Sequence, residues 1–128
     1  MKVLIAIDDS PYSKDVIESA VRRHWPKDTL FRVLTVLEPF AASYDELADL
    51  DLTESLGEID SRRELAAEHL CENSLRKLEK IPGAIVHFEV RRGRPSSEII
   101  NAAVDWSADQ ILIGARGRGL CPHNLIGS

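Results

Sequence analysis

The residues with the most chemical promise lie near the end of the chain, in the stretch Gln110 to Ser128, QILIGARGRGLCPHNLIGS. It opens on apolar Ile111-Leu112-Ile113 and breaks at Gly114. Gly117 and Gly119 follow, with Arg116 and Arg118 between and beside them, and the stretch closes on Gly127-Ser128. Glycine tolerates positive φ and lets backbone N–H groups come close to a ligand. Successive N–H groups in such turns form a concavity suited to an anion. Arginine contributes bidentate donors and serine a hydroxyl. The chemistry these residues point to is phosphate binding. A glycine-rich turn with its arginines in water has the same local sequence, so the surrounding elements must decide. Two familiar phosphate loops are excluded. No Gly-Lys-Ser/Thr follows a glycine at Walker A spacing, and Pro122 occupies the third glycine position of the dinucleotide fingerprint.

Other chemistries find less support. Cys121 and His123 are close enough in sequence for a thiolate–imidazole pair, but no third group stands ready to orient them. His24, His69, His87, His123, Cys71 and Cys121 lack the paired spacing of a zinc site. Asp8-Asp9 is the one acidic pair suited to Mg²⁺ beside a phosphate. The expectation is a binding site with no catalytic residue and no resident metal.

The 128 residues make one domain with room for a proper core. A net charge of −5 argues against a nucleic-acid-binding face. No apolar run approaches the ~20 residues that cross a bilayer. Met1 leads straight into a strand-like segment, so no signal peptide is expected. Two cysteines, Cys71 and Cys121, fit a reducing cytosol, and a cytoplasmic location is the reading.

The elements that must position the glycine stretch follow from periodicity. Lys2 to Ile7 is a continuous apolar, β-branched run, as in a strand buried on both faces. Ser10-Pro11 reads as N-cap and first helical residue, and Val16, Ile17, Ala20, Val21 and Trp25 recur at helical spacing. Leu30 to Leu37 is a second strand. Residues 41–60 then form an acidic, mobile connection: from Tyr44 to Asp60 there are seven acidic residues and no Lys or Arg. Ser61 to Lys80 is a helix whose buried stripe is Leu65, Ala66, Leu70, Ser74, Leu75 and Leu78. Ala84 to Val90 is a third strand, with His87 on one of its faces. A last helix after Pro95 turns Ile99, Ile100, Ala103, Val104 and Trp106 inward, and the strand ahead of Gly114 completes the order. Strands alternating with helices give an α/β fold, a doubly wound open parallel sheet with helices on both faces. With strand order 3-2-1-4, the crevice where the winding reverses lies between Asp8 and Gly114.

The glycine spacing, Gly114-x2-Gly117-x9-Gly127-Ser128, resembles the ATP-binding signature of the universal stress protein family. Ile5-Ala6-Ile7-Asp8 resembles that family's opening strand and its aspartate. Gly93-Arg94-Pro95 with Ile99 and Ile100, and Ala108-Asp109 running through Ile113-Gly114, resemble its later motifs. The resemblance spans the chain and implies a stress-response regulatory module that binds ATP or AMP, with or without Mg²⁺. It gives Asp8 the ribose hydroxyls and the Val36 backbone the adenine edge. Ala6, Ile7 and Ile113 become apolar walls, and Gly114, Gly117, Gly127 and Ser128 hold the phosphates, with Arg116 and Arg118 as counter-charges. Thr35 stands where the family commonly has histidine. The family also implies a homodimer across a fifth strand, whereas this sequence stops at Ser128, so it reads as a truncated member in which that edge and its dimer are in doubt. A slow ATP hydrolase and a nucleotide-independent interaction domain of the same fold are the alternatives.

Overall fold

The computed structural model of the chain describes residues 1–39 and 52–114, with side chains from residue 57 in the second stretch. Strand β1 is Lys2–Ile7, helix α1 is Pro11–Arg22 and strand β2 is Leu30–Leu37. Helix α2 is Leu52–Leu78 and strand β3 is Ile85–Arg92. Helix α3 is Pro95–Trp106 and strand β4 is Gln110–Gly114. The strands form one sheet in the order β3-β2-β1-β4. All three pairings are parallel. The order and the alternation are those the sequence led us to expect.

Strand β1 is central because both of its faces are apolar. Val3, Ile5 and Ile7 point to one side, where they join Phe31, Val33, Ile17, Ala20, Cys71 and Leu78 under α1 and α2. Leu4 and Ala6 point to the other, where they join Leu34, Ile111, Ile99, Ala102 and Ala103 under α3. From Val3 to Ile7 none is more than 3% exposed. Trp25 closes the first core with its ring edge-on to Phe31, centroids 5.2 Å apart, and its indole N–H donates to the Ala20 carbonyl at 2.7 Å.

Three expectations need correction. Helix α2 begins at Leu52, nine residues ahead of the expected Ser61, so 52–60 belongs to a helix and not to the acidic connection; residues 41–51 of that connection lie outside the described residues. Asp60, in the third turn of this helix, is held by a cation across on β3, Arg92 at 2.9 Å. Gly57, a poor helix former, and the dense acidic charge hide the helix in the sequence, although Leu52, Leu56 and Ile59 recur at helical spacing. The buried stripe of α2 is also rotated. Ala67, Cys71, Ser74 and Leu78 are buried, whereas Leu65 is 53% exposed.

In α3 the inward residues are Ile99, Ala102 and Ala103, with Trp106 packed against them, while Ile100 is 41% and Val104 67% exposed. Two alanines let the helix lie close to the sheet. Positions 100 and 104 fall about a third of a turn or more away from that line. The opposite flank is fastened by charge: Arg91 of β3 pairs with Asp105 at 3.0 Å and Glu98 at 3.6 Å. The same guanidinium meets Glu89 at 2.6 Å. Beside it Arg92 pairs with Asp60 and Glu64 of α2, which holds the Asp60 carboxyl below the usual carboxylate range. These partners extend β3 to Arg92, past the Val90 at which the apolar pattern stops.

The rotation of α3 is checked by two truncations. Ile99→Ala should cost about 2–5 kcal/mol, and Val104→Ala should change stability by no more than about 0.5 kcal/mol, both read from urea unfolding. Equal costs would mean that Val104 faces the core after all.

Candidate functional site

Connections β1–α1–β2 and β2–α2–β3 put their helices on one face of the sheet, and β3–α3–β4 puts its helix on the other. The winding therefore reverses between β1 and β4, which is where open α/β sheets leave a crevice at the carboxyl ends of their strands. Ile7 and Gly114 are register partners at that end, and Asp8 is the next residue of β1's chain. The structure thus brings Asp8 and Gly114 together as the strand order implied.

What fixes them is a residue that the sequence reading passed over. Ser13, in the first turn of α1, is buried at 4% exposure. Its Oγ accepts the Asp8 backbone N–H at 2.7 Å. It lies 3.1 Å from Asp8 Oδ1 and also against the Gly114 carbonyl oxygen, the two acceptors available to its one hydroxyl proton. Asp8 Oδ1 accepts in addition the Ser10 N–H at 2.9 Å, an aspartate turn that carries the chain from β1 into the helix. Ser10 occupies the N-cap position ahead of Pro11, but its side chain makes no capping bond to the helix. The Ser10 hydroxyl lies instead 3.4 Å from the Gly114 carbonyl. The signal for Ser13 was present: it falls on the inward stripe of α1 with Val16, Ile17 and Ala20, where a lone polar residue must find a buried partner.

Gly114 is required here for packing. A Cβ on it would stand 2.4 Å from Val16 Cγ1, 2.7 Å from Ser13 Cα and 2.8 Å from the Tyr12 carbonyl oxygen. Helix α1 comes so close to the end of β4 that only glycine fits, whatever occupies the crevice. Of the expected apolar walls, Ala6 and Ile7 are sealed at 2% and 3% exposure. Val36 and Ile113 are half-buried and pack on the same core as Ala6. Arg116, Gly117, Arg118, Gly127 and Ser128 lie outside the described residues, as do Cys121 and His123.

Thr35 is 5% exposed. Its hydroxyl donates to the Ile7 carbonyl at 3.3 Å and accepts the Cys71 thiol, also at 3.3 Å. Threonine at this position therefore ties β2 to the end of β1 and to α2. Burial pushes the Cys71 thiol up, opposed by its bond to Thr35 and reinforced by Glu68 and Glu72; it stays protonated and is no nucleophile. Among the described residues no group of His, Cys, Asp and Glu is arranged to hold a metal ion, and no helix is long and apolar enough to cross a membrane.

Replacing Ser13 by alanine should lower stability by about 1–3 kcal/mol, the cost of leaving buried polar groups without a partner. Chemical denaturation should show the midpoint fall at constant m-value.

Solved structures share this fold. Hypothetical protein MJ0577 superposes with a TM-score of 0.70 at 22% identity, covering 87% of this chain and 71% of its own. A universal stress protein family protein from Arabidopsis thaliana, whose structure has AMP bound, gives a TM-score of 0.65 at 20% identity, covering 93% and 79%. UspA from Lactobacillus plantarum gives 0.64 at 19% identity, covering 100% and 86%. At these identities the likeness establishes the fold. No curated protein sequence matches the chain. The model of the universal stress protein family, however, matches residues 1–128 throughout, and the chain belongs to the universal stress protein family.

Proposed function

We propose that this chain is a stress-response regulatory module that binds an adenine nucleotide, ATP or AMP, in the crevice between β1 and β4. The observation that carries the proposal is the placement of Asp8. Its carboxylate follows the last residue of β1, across from Gly114 and at the reversal of the sheet, and its Oδ1 is held by the Ser10 N–H and the Ser13 hydroxyl. A carboxylate held in this way accepts two ribose hydroxyls well. The AMP in the Arabidopsis thaliana relative supports the same ligand class.

The residues present fit such a ligand. Val36 and Ile113, half-buried beside Ala6, offer apolar surface to a base, with the Val36 backbone meeting the adenine edge. In this reading the Gly114, Gly117, Gly127 and Ser128 stretch receives the phosphates, and Arg116 and Arg118 balance their charge. Mg²⁺, if it accompanies ATP, would use Asp8-Asp9. No efficient catalysis is part of the proposal: phosphoryl transfer needs a positioned metal and a general base, and Asp8-Asp9 is the one acidic pair in the sequence placed to serve it. A cytoplasmic setting belongs to the same reading, consistent with the free thiol of Cys71. The seat of Gly114 against α1 serves equally well a fold that holds no nucleotide, so an interaction domain without ligand is the competing reading.

Calorimetric titration separates the two. Binding of ATP or AMP near micromolar, on the order of −8 kcal/mol, is expected. Asp8→Asn, which keeps a carbonyl acceptor for Ser10 and Ser13, should weaken it roughly tenfold to hundredfold, the worth of a charged hydrogen bond. Gly117→Val should abolish it with the fold intact. No heat with either nucleotide, or full affinity in both variants, would sink the proposal.

A further inference from the structure

At the pole of the molecule opposite this crevice, α1 and α2 end side by side. Between their last turns lies a groove of about 400 Å³ lined by Ile17, Glu18, Val21, Arg22, Lys77 and Lys80. Its floor is apolar: Ile17 belongs to the core and Val21 packs against it. Its rim is mostly cationic. Arg22 and Lys77 stand in the last turns of their helices, where the dipole favours positive charge. Among the described residues none of Arg22, Lys77 and Lys80 forms an ion pair; the pairs there belong to Arg32, Arg63, Arg91 and Arg92. The Arg22 Nε donates to the Glu18 carbonyl at 3.3 Å, and Glu18 is the single acid in the lining. The site asks for an occupant that is both apolar and acidic.

The chain itself contains one. Residues 40–51 read FAASYDELADLD, with Phe40, Tyr44, Leu47 and Leu50 among Asp45, Glu46, Asp49 and Asp51, and no Lys or Arg. We propose that this segment of one copy docks in the α1–α2 groove of a second copy. Reach decides between copies. Lys77 stands 25 residues along α2 from Leu52, about 38 Å at 1.5 Å per residue. The 12 residues from 40 to 51 are tied at Pro39 and at Leu52, so going out and back they extend only about 20 Å. A molecule cannot fill its own groove. Donor segment and acceptor groove are different surfaces, so the contact is heterologous and yields rings or open chains. A nucleic acid would satisfy the rim but not the floor, and the net charge of −5 repels it.

The test is a titration of the full chain with a fluorescein-labelled peptide of residues 40–54, alongside sedimentation equilibrium of the protein alone. At low ionic strength the peptide should bind saturably and the protein's mass should rise with concentration. Both effects should vanish in roughly 1 M salt, where screening acts within about 3 Å. Lys77→Glu with Lys80→Glu, both at an exposed helix end, should weaken the peptide by about tenfold or more, the worth of two rim charges, while nucleotide binding stays as it was. A peptide with lysine at 45, 46, 49 and 51 should bind that variant and not the original. No saturable peptide binding, equal binding to both proteins, or binding of heparin or RNA without the peptide would overturn the proposal.

Discussion

The carboxyl end of this sheet depends on one buried hydroxyl. Ser13 reaches from the first turn of α1 to the Asp8 amide, the Asp8 carboxylate and the Gly114 carbonyl. It joins the two strands between which the winding reverses, at the register pair Ile7 and Gly114. The hydroxyl is within reach only because α1 sits almost on the backbone of β4, and α1 can sit there only because residue 114 has no side chain. Serine and glycine are thus one constraint in two parts: contact distance demands the glycine, and the serine satisfies the polar groups that close contact strips of water.

A similar logic runs through the rest of the sheet, where polar groups are placed to be answered. Thr35 answers the Ile7 carbonyl and is answered by Cys71. Lys2 and Asp109 exchange backbone and side-chain bonds at the other end of β1 and β4. Arg32, between them, stacks over the Trp106 ring at 4.5 Å, where a cation is attracted to the ring face. Apolar burial assembles the layers, and these links set which residues stand at the mouth of the crevice.

Much of this was legible in the sequence. The unbroken apolar run Lys2–Ile7 announces a strand with two cores, and its pairing with a strand that ends in glycine places the crevice. What the sequence hid has physical causes. Apolar periodicity says nothing about buried hydroxyls, so Ser13 looked like one more polar residue in a helix. The early part of α2 was hidden because Asp60 and Glu64 are answered by Arg92 across on β3, a long-range pairing that has no period. The faces of α2 and α3 were drawn toward the largest side chains, Leu65 and Val104, whereas the structure buries the small ones, Ala67, Ala102 and Ala103, that let helices lie flat. At Gly114 the glycine spacing carries no sign of the close approach of α1, which requires glycine there whatever the crevice holds.

The fastening of α3 has a consequence for how the molecule opens. On the face it covers, this helix contributes one large buried aliphatic, Ile99, and two alanines, and its flank is held by exposed or half-exposed ion pairs to Arg91. Such contacts hold less free energy than the double core around β1 and β2, and salt weakens them selectively. Local opening should then begin with α3 lifting from the sheet. Because β4 follows α3 in the chain, that motion pulls first on the strand that ends at Gly114. The half of the crevice built on β4 is accordingly tied to the least firmly held layer, and the half built on β1 to the most firmly held.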